Sequence, residues 1–292
     1  MNKFTSTFAA ALLMACAPLA QATLLVYDGF EPYTADNDLS GNNGGTGWTG
    51  AYSGHEDINV VSGGLSYSAG NVIVGGGSRA AAVQGNLGLN NTSVGVVLNR
   101  SFHAIASDEV FFSFLFRPVA GFPTFENNDR DFLYFYLSNS STINNSFGIG
   151  QLISAGNSNT LKPLGARLTD GSGAITQADS TIATGNETFL LVGRLYKDGT
   201  TNYNRLDFYV NPTSTTFGVD SPASQATRDI GIAGGLNTFG LRYGFPEPDD
   251  EYQFDELRIG TSWDAVVIPE PSSLILLGVA LLGALGLRSR KR

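Results

Sequence analysis

Residues 112–117 read Phe-Ser-Phe-Leu-Phe-Arg and residues 132–137 read Phe-Leu-Tyr-Phe-Tyr-Leu. In the first stretch, Phe112, Phe114 and Phe116 alternate with Ser113, Leu115 and Arg117. Successive side chains of a strand point to opposite faces, so the three rings share one face. The second stretch is apolar at both parities, the pattern of a central strand buried on both sides. Further apolar or alternating runs lie at 24–27, 71–74, 94–99, 147–152, 188–196, 206–210, 238–243 and 252–259. Clusters of Gly, Asn, Asp and Ser separate them, and no stretch of 23–268 keeps a helical period with caps. The polar Lys197-Asp198-Gly199 turn makes 188–196 and 206–210 a hairpin pair. About ten or more strands in one segment of this length predict an all-β, two-sheet antiparallel sandwich rather than a small barrel. No compositional break or internal repeat divides it.

Composition removes several classes of function. The chain has 292 residues with 36 glycines, and only 15% are charged. Residues 23–268 hold 12 Lys plus Arg against 25 Asp plus Glu, a formal charge of −13. Such a surface repels phosphate backbones, so nucleic acid is excluded as a partner. The one cysteine, Cys16, precedes this segment, which excludes disulfide frameworks, Cys-based zinc sites and cysteine nucleophiles in it. His55 and His103 are too few for a multi-histidine metal centre.

Both ends read as addresses. Residues 1–22 have a basic start at Lys3, an apolar stretch over 8–20 and the small-x-small triplet Ala20-Gln21-Ala22. This is the pattern of a signal peptide handled by the Sec machinery, with cleavage expected after Ala22. Lipidation at Cys16 is the alternative, on a loose lipobox over 13–16. At the other end Pro269-Glu270-Pro271 precedes an apolar run over 272–287 and the basic tail 288–292. Sixteen residues of helix span roughly 24 Å, against a bilayer core of about 30 Å. The run is therefore a marginal transmembrane helix, with its basic end held in the cytoplasm and residues 23–268 outside. The two prolines keep Glu270 in an exposed, extended segment.

This tripartite end, 269–292, resembles the PEP-CTERM sorting signal of Gram-negative bacteria. The resemblance implies an exosortase as partner, cleavage near the Pro-Glu-Pro, and transient anchoring in the inner membrane. Release to the cell surface or extracellular matrix would follow, in a family associated with exopolysaccharide. Three further segments resemble secreted jelly rolls of the concanavalin A-like and laminin G-like kind. They are Tyr27-Asp28-Gly29-Phe30-Glu31 with Gly44-Gly45-Thr46-Gly47-Trp48, Phe189–Arg194 with Phe208–Pro212, and Phe254-Asp255-Glu256-Leu257-Arg258-Ile259-Gly260. Carbohydrate-binding jelly rolls are the competing assignment, and fold alone does not fix function.

The sharpest chemical feature is Glu247-Pro248-Asp249-Asp250-Glu251. Its Glu-x-Asp-x-Glu spacing matches laminarinase-like glycoside hydrolases, in which one strand aims three carboxylates into a cleft. Here Pro246 and Pro248 block strand pairing, so a solvated acidic loop is expected and no enzyme activity. Structural calcium is a second candidate. Ca²⁺ takes six to eight oxygens, and adjacent first and last strands would bring Asp28 and Glu31 near Asp255 and Glu256. Carbohydrate-binding jelly rolls, which the Asp255-Glu256 strand resembles, carry calcium at such a seam. For sugar, the loop aromatics Phe122 and Phe125 form the candidate platform. Trp48, after a Gly-rich segment, is either a third sugar contact or a plug beneath a loop. Trp263 is expected to seal the sandwich. His103 near Asp108 lacks the nucleophile elbow of a hydrolytic triad.

These readings converge on an exported, non-catalytic surface protein that binds or organises exopolysaccharide. A purely structural surface protein is the second reading and a glycoside hydrolase using Glu247 and Glu251 the third.

Overall fold

The computed structural model describes residues 23–54, 58–75, 77–84, 96–120, 132–140, 144–152, 163–183, 185–244 and 251–268. In chain order the strands are β1 (Leu24–Asp28), β2 (Ser53–Gly54), β3 (Ile58–Ser62), β4 (Ser66–Ala69), β5 (Val72–Gly75) and β6 (Arg79–Gln84). There follow β7 (Val96–Ile105), β8 (Glu109–Ala120), β9 (Phe132–Ser138), β10 (Ser146–Gln151), β11 (Pro163–Thr169) and β12 (Ile175–Ala183). Last come β13 (Phe189–Tyr196), β14 (Arg205–Val210), β15 (Ser224–Thr227), β16 (Leu236–Gly244), β17 (Glu251–Gly260) and the short helix α1 (Trp263–Val267).

Two antiparallel sheets carry the fold, as the alternating aromatics predict. The first runs β15-β14-β13-β8-β17-β6-β3, with β1 also paired to β17; the second runs β12-β11-β10-β9-β16-β7-β2. The predicted hairpin of 188–196 with 206–210 is the β13–β14 pair, in register from Leu191↔Val210 to Tyr196↔Arg205. Strand β9 is central, flanked by β10 and β16.

Between the sheets, Phe112, Phe114 and Phe116 of β8 meet Leu133, Phe135 and Leu137 of β9 in one continuous core. The Phe114 and Phe135 ring centroids are 4.0 Å apart across the interface. Each fully buried ring of this kind stabilises the fold by about 1.5–3 kcal/mol. The other parity of β8 is buried as well. Phe111 and Leu115 join Leu190, Val192 and Tyr209 in a second core on the outer face of the first sheet. The β4–β5 hairpin and α1 cover it, through Val72, Val74, Trp263, Val266 and Val267. Trp263 is buried there, on the outer face of the first sheet and not at an end of the inter-sheet core.

Strand β17 changes partner along its length. Glu251–Phe254 pair with β6, and Leu257–Gly260 pair with β1. On the β8 side the register slips between Asp255 and Arg258, and Glu256 sits at φ 54°. A non-glycine residue in that region is uncommon and marks a bulge that re-aims side chains. Glu251 is therefore the first residue of a paired strand rather than part of an acidic loop. Residues 247–250 lie outside the described residues.

Candidate functional site

The predicted meeting of first and last strands occurs, but it does not gather the four acidic residues around one ion. Asp28 is fully buried. Its carboxylate accepts the Phe30 amide at 3.0 Å, the Tyr33 hydroxyl at 2.6 Å, the Tyr52 hydroxyl at 3.0 Å and Arg100 Nη1 at 2.6 Å. Burial pushes its pKa up, against those four donors pulling it down. Glu31 instead turns to the other end of β5–β6, where it accepts the Ser78 hydroxyl at 2.8 Å and the Arg79 amide at 2.9 Å.

Asp255 accepts the Leu65 amide at 2.9 Å and the Glu256 amide at 2.7 Å. Burial raises its pKa to about 8. Glu256 takes the Tyr27 hydroxyl at 3.0 Å and Arg258 Nη2 at 2.7 Å. The four carboxylates expected at a calcium site are thus engaged by separate sets of protein donors. Each of these carboxylates accepts at least two hydrogen bonds from the protein. Among the described residues, no group of three or more His, Cys, Asp or Glu is placed to hold a metal.

Of the two readings of Trp48, its packing is that of a plug beneath a loop. It is half-buried and packs on Phe102, Phe239 and Tyr52 with centroids 6.0–6.2 Å away. Its indole N–H donates to the Tyr27 carbonyl at 3.1 Å. Its ring lies 4.5 Å from the Arg100 guanidinium. Phe122 and Phe125 lie outside the described residues, as do Ala20, Ala22, Pro269, Glu270 and Pro271. Asp108 pairs with Lys197 at 2.7 Å, which occupies the carboxylate nearest His103 in sequence.

A surface that the sequence reading passed over lies on the outer face of the second sheet. Tyr134 and Tyr136 of β9 are its buried floor. The in-register neighbours of Tyr136 are Gly148 and Gly240, and those of Tyr134 are Gly150 and Arg242. The glycines are required here, since a Cβ on Gly240 would come within 2.4 Å of the Tyr136 hydroxyl. Arg167 of β11 stands 5.1 Å over the Tyr134 ring, and Arg242 Nη1 reaches the Tyr134 hydroxyl at 3.4 Å. Desolvation, partly offset by Tyr134, lowers the pKa of Arg167, and Arg242 adds repulsion of like sign. Asn99 accepts the Tyr136 hydroxyl at 2.6 Å, and Gln177 donates to Asp179 at 2.6 Å beside Arg167. Both guanidinium groups are half-buried over aromatic rings. The signal lay in the parity of residues 134, 136, 167 and 242, which carries tyrosine and arginine where the core parity carries Leu, Ala and Phe.

The described fold ends docked. Ser113 Oγ donates to the Val266 carbonyl at 2.6 Å, and Arg258 Nη1 donates to the Ile268 carbonyl at 2.7 Å. The Trp263 indole donates to the Ser214 carbonyl at 3.0 Å. Residue 269, the first proline of the terminal motif, follows directly.

That motif is the PEP-CTERM protein-sorting motif, matched over residues 267–291. The chain is thus a two-sheet β-sandwich with an exosortase sorting signal, which implies export and transient membrane anchoring before processing. No curated protein matches the chain. Among solved structures it is similar to the endo-beta-1,4-glucuronan lyase of the fungus Trichoderma reesei at 11% identity and a TM-score of 0.44, covering 80% of this chain and 98% of that one. It is similar to the Emp47p carbohydrate recognition domain at 9% identity and 0.43, covering 77% and 94%. It is likewise similar to the VIP36 exoplasmic/lumenal domain in its Ca2+/Man2-bound form at 9% and 0.44, covering 81% and 90%.

Proposed function

We propose that this exosortase-sorted protein holds a polysaccharide, without catalysis, on the outer face of its second sheet. The observation that carries the reading is the pairing of Arg167 and Arg242 over Tyr134. Two guanidinium forks over an aromatic floor, bordered by Asn99 and Gln177, offer donors to sugar hydroxyls and bidentate donors to a carboxylate or sulfate. An acidic polysaccharide suits that surface better than a neutral one. The mode differs from ring stacking, because the tyrosines are floor rather than platform.

Affinity electrophoresis of residues 23–268 through gels containing an acidic polysaccharide tests the reading. Retardation that soluble glycan competes away, and that Arg167→Ala with Arg242→Ala abolishes, is the expected result. Free migration of the folded protein through both acidic and neutral glycans would overturn it. Release of reducing ends would overturn the non-catalytic part alone.

A further inference from the structure

Among the described residues, five large apolar side chains are exposed, and four belong to the layer around the point where the chain leaves the fold. Val219 is 64% exposed, Ile73 59%, Phe217 42% and Ile268 38%. They are carried by neighbouring parts of the layer that covers the outer face of the first sheet: the loop at 213–220, the β4–β5 hairpin and the end of α1. Phe217 packs on Trp263 with centroids 5.7 Å apart and on Phe111 at 5.6 Å. The loop carrying Phe217 and Val219 is closed by Asp220, which accepts the amides of Thr213 and Ser214 at 3.1 and 2.9 Å. It is pinned to the hairpin that carries Ile73. Asn71 Nδ2 donates to Thr215 Oγ1 at 3.1 Å, and the Thr215 amide donates to Asn71 Oδ1 at 2.9 Å. Val72 and Val74 point inward beside Val266 and Val267, which leaves Ile73 outward. The fifth, Ile175, is on the edge strand of the other sheet.

We infer that this patch is a lipid-contact surface, by which the folded domain itself rests on the bilayer while the sorting segment is still attached. The argument is one of reach and of polarity, and it is independent of the glycan reading. Residues 272–287 are the apolar run of the sorting motif, and only residues 269–271 separate it from Ile268. Three residues span at most roughly 10 Å, so the face that surrounds Ile268 is the face held against the membrane. The domain carries a formal charge of −13, so a face that approaches anionic headgroups needs apolar side chains to offset that repulsion. Here it meets them with four aliphatic or aromatic side chains, the kind of exposed patch that marks a membrane or protein contact.

The test uses the full chain in vesicles of phosphatidylethanolamine and phosphatidylglycerol, with Cys16→Ser throughout. A single cysteine at Val219→Cys or at Ile175→Cys carries an environment-sensitive fluorophore, and quenching is read from lipids bearing a nitroxide high on the acyl chain. Quenching several-fold stronger at position 219 than at 175, lost when Phe217→Ser and Ile73→Ser are combined, is the expected result. Equal quenching at both positions, or none at 219, overturns the inference. So does a signal at 219 that follows protein density at fixed lipid, which would mark a second copy of the chain as the occupant.

Discussion

Arg100 and Asp28 form an ion pair of 2.6 Å in which both side chains are wholly shielded from solvent. Arg100 uses its other donors on the carbonyls of Gly50 and Gly44 at 2.8 and 2.6 Å and on Asn43 at 3.1 Å. The pair therefore fastens the long segment between β1 and β2 against β7. Replacing Arg100 with Ala strands a buried carboxylate, for which the expected loss is about 3–5 kcal/mol. Urea denaturation checks it, and a loss under about 1 kcal/mol would show that water reaches Asp28.

Asp255 sets a pH dependence of definite sign. Its folded pKa of about 8 stands above its ordinary carboxylate value, because burial disfavours the anion. Between about pH 4 and pH 8 the folded state binds more protons at this site than the unfolded state. Its contribution to stability is therefore greatest at the acid end of that window and falls as pH rises through it. Melting temperature measured from pH 5 to pH 8 should decline, and Asp255→Asn should flatten the decline. A slope unchanged by the substitution would assign the dependence to other groups.

The docked helix defines where the folded domain ends. A chain terminated after Ile268 should melt as the longer protein does. One terminated after Ser262 uncovers Phe111, Leu115 and Tyr209, and should melt lower and bind a hydrophobic dye. Equal melting of the two truncations would mean that α1 contributes nothing.

Core and patch should respond unequally to the same chemical change. Phe114→Ala removes a ring packed 4.0 Å from Phe135, with an expected cost of about 3–5 kcal/mol. Phe217→Ala removes a ring that is 42% exposed and packs on Phe111 and Trp263, with a smaller expected cost of about 1 kcal/mol. Equilibrium denaturation of both variants decides whether the inter-sheet core or the outer layer carries stability.

The sandwich was legible because β8 and β9 show their parity openly: phenylalanine and leucine recur where the core needs them. Strand β6 was not, since Ala80, Ala81 and Ala82 pack closely on both sides with too little volume to announce a face. Strand β12 escaped because an edge strand with Gln177, Asp179 and Thr181 has no continuous apolar parity to show. The neighbourhood of β1 and β17 was foreseen, but the partners of its carboxylates were not. Arg100 lies 72 residues from Asp28, and Leu65 lies 190 from Asp255, so only the closed fold introduces them. The tyrosine–arginine face was visible in principle as a second parity, yet apolar and aromatic residues together masked it as ordinary core.

The joint between Ile268 and the sandwich has a mechanical side. A pull on the sorting segment, as from a membrane anchor, enters at a carbonyl held by Arg258 and must first strip Trp263, Val266 and Val267 from their seat. Behind them stands β17, bonded to β8 along one edge and to β6 and β1 along the other. The helix is then a sacrificial stage: it yields before the central strand is loaded, and it can reseat when tension is released.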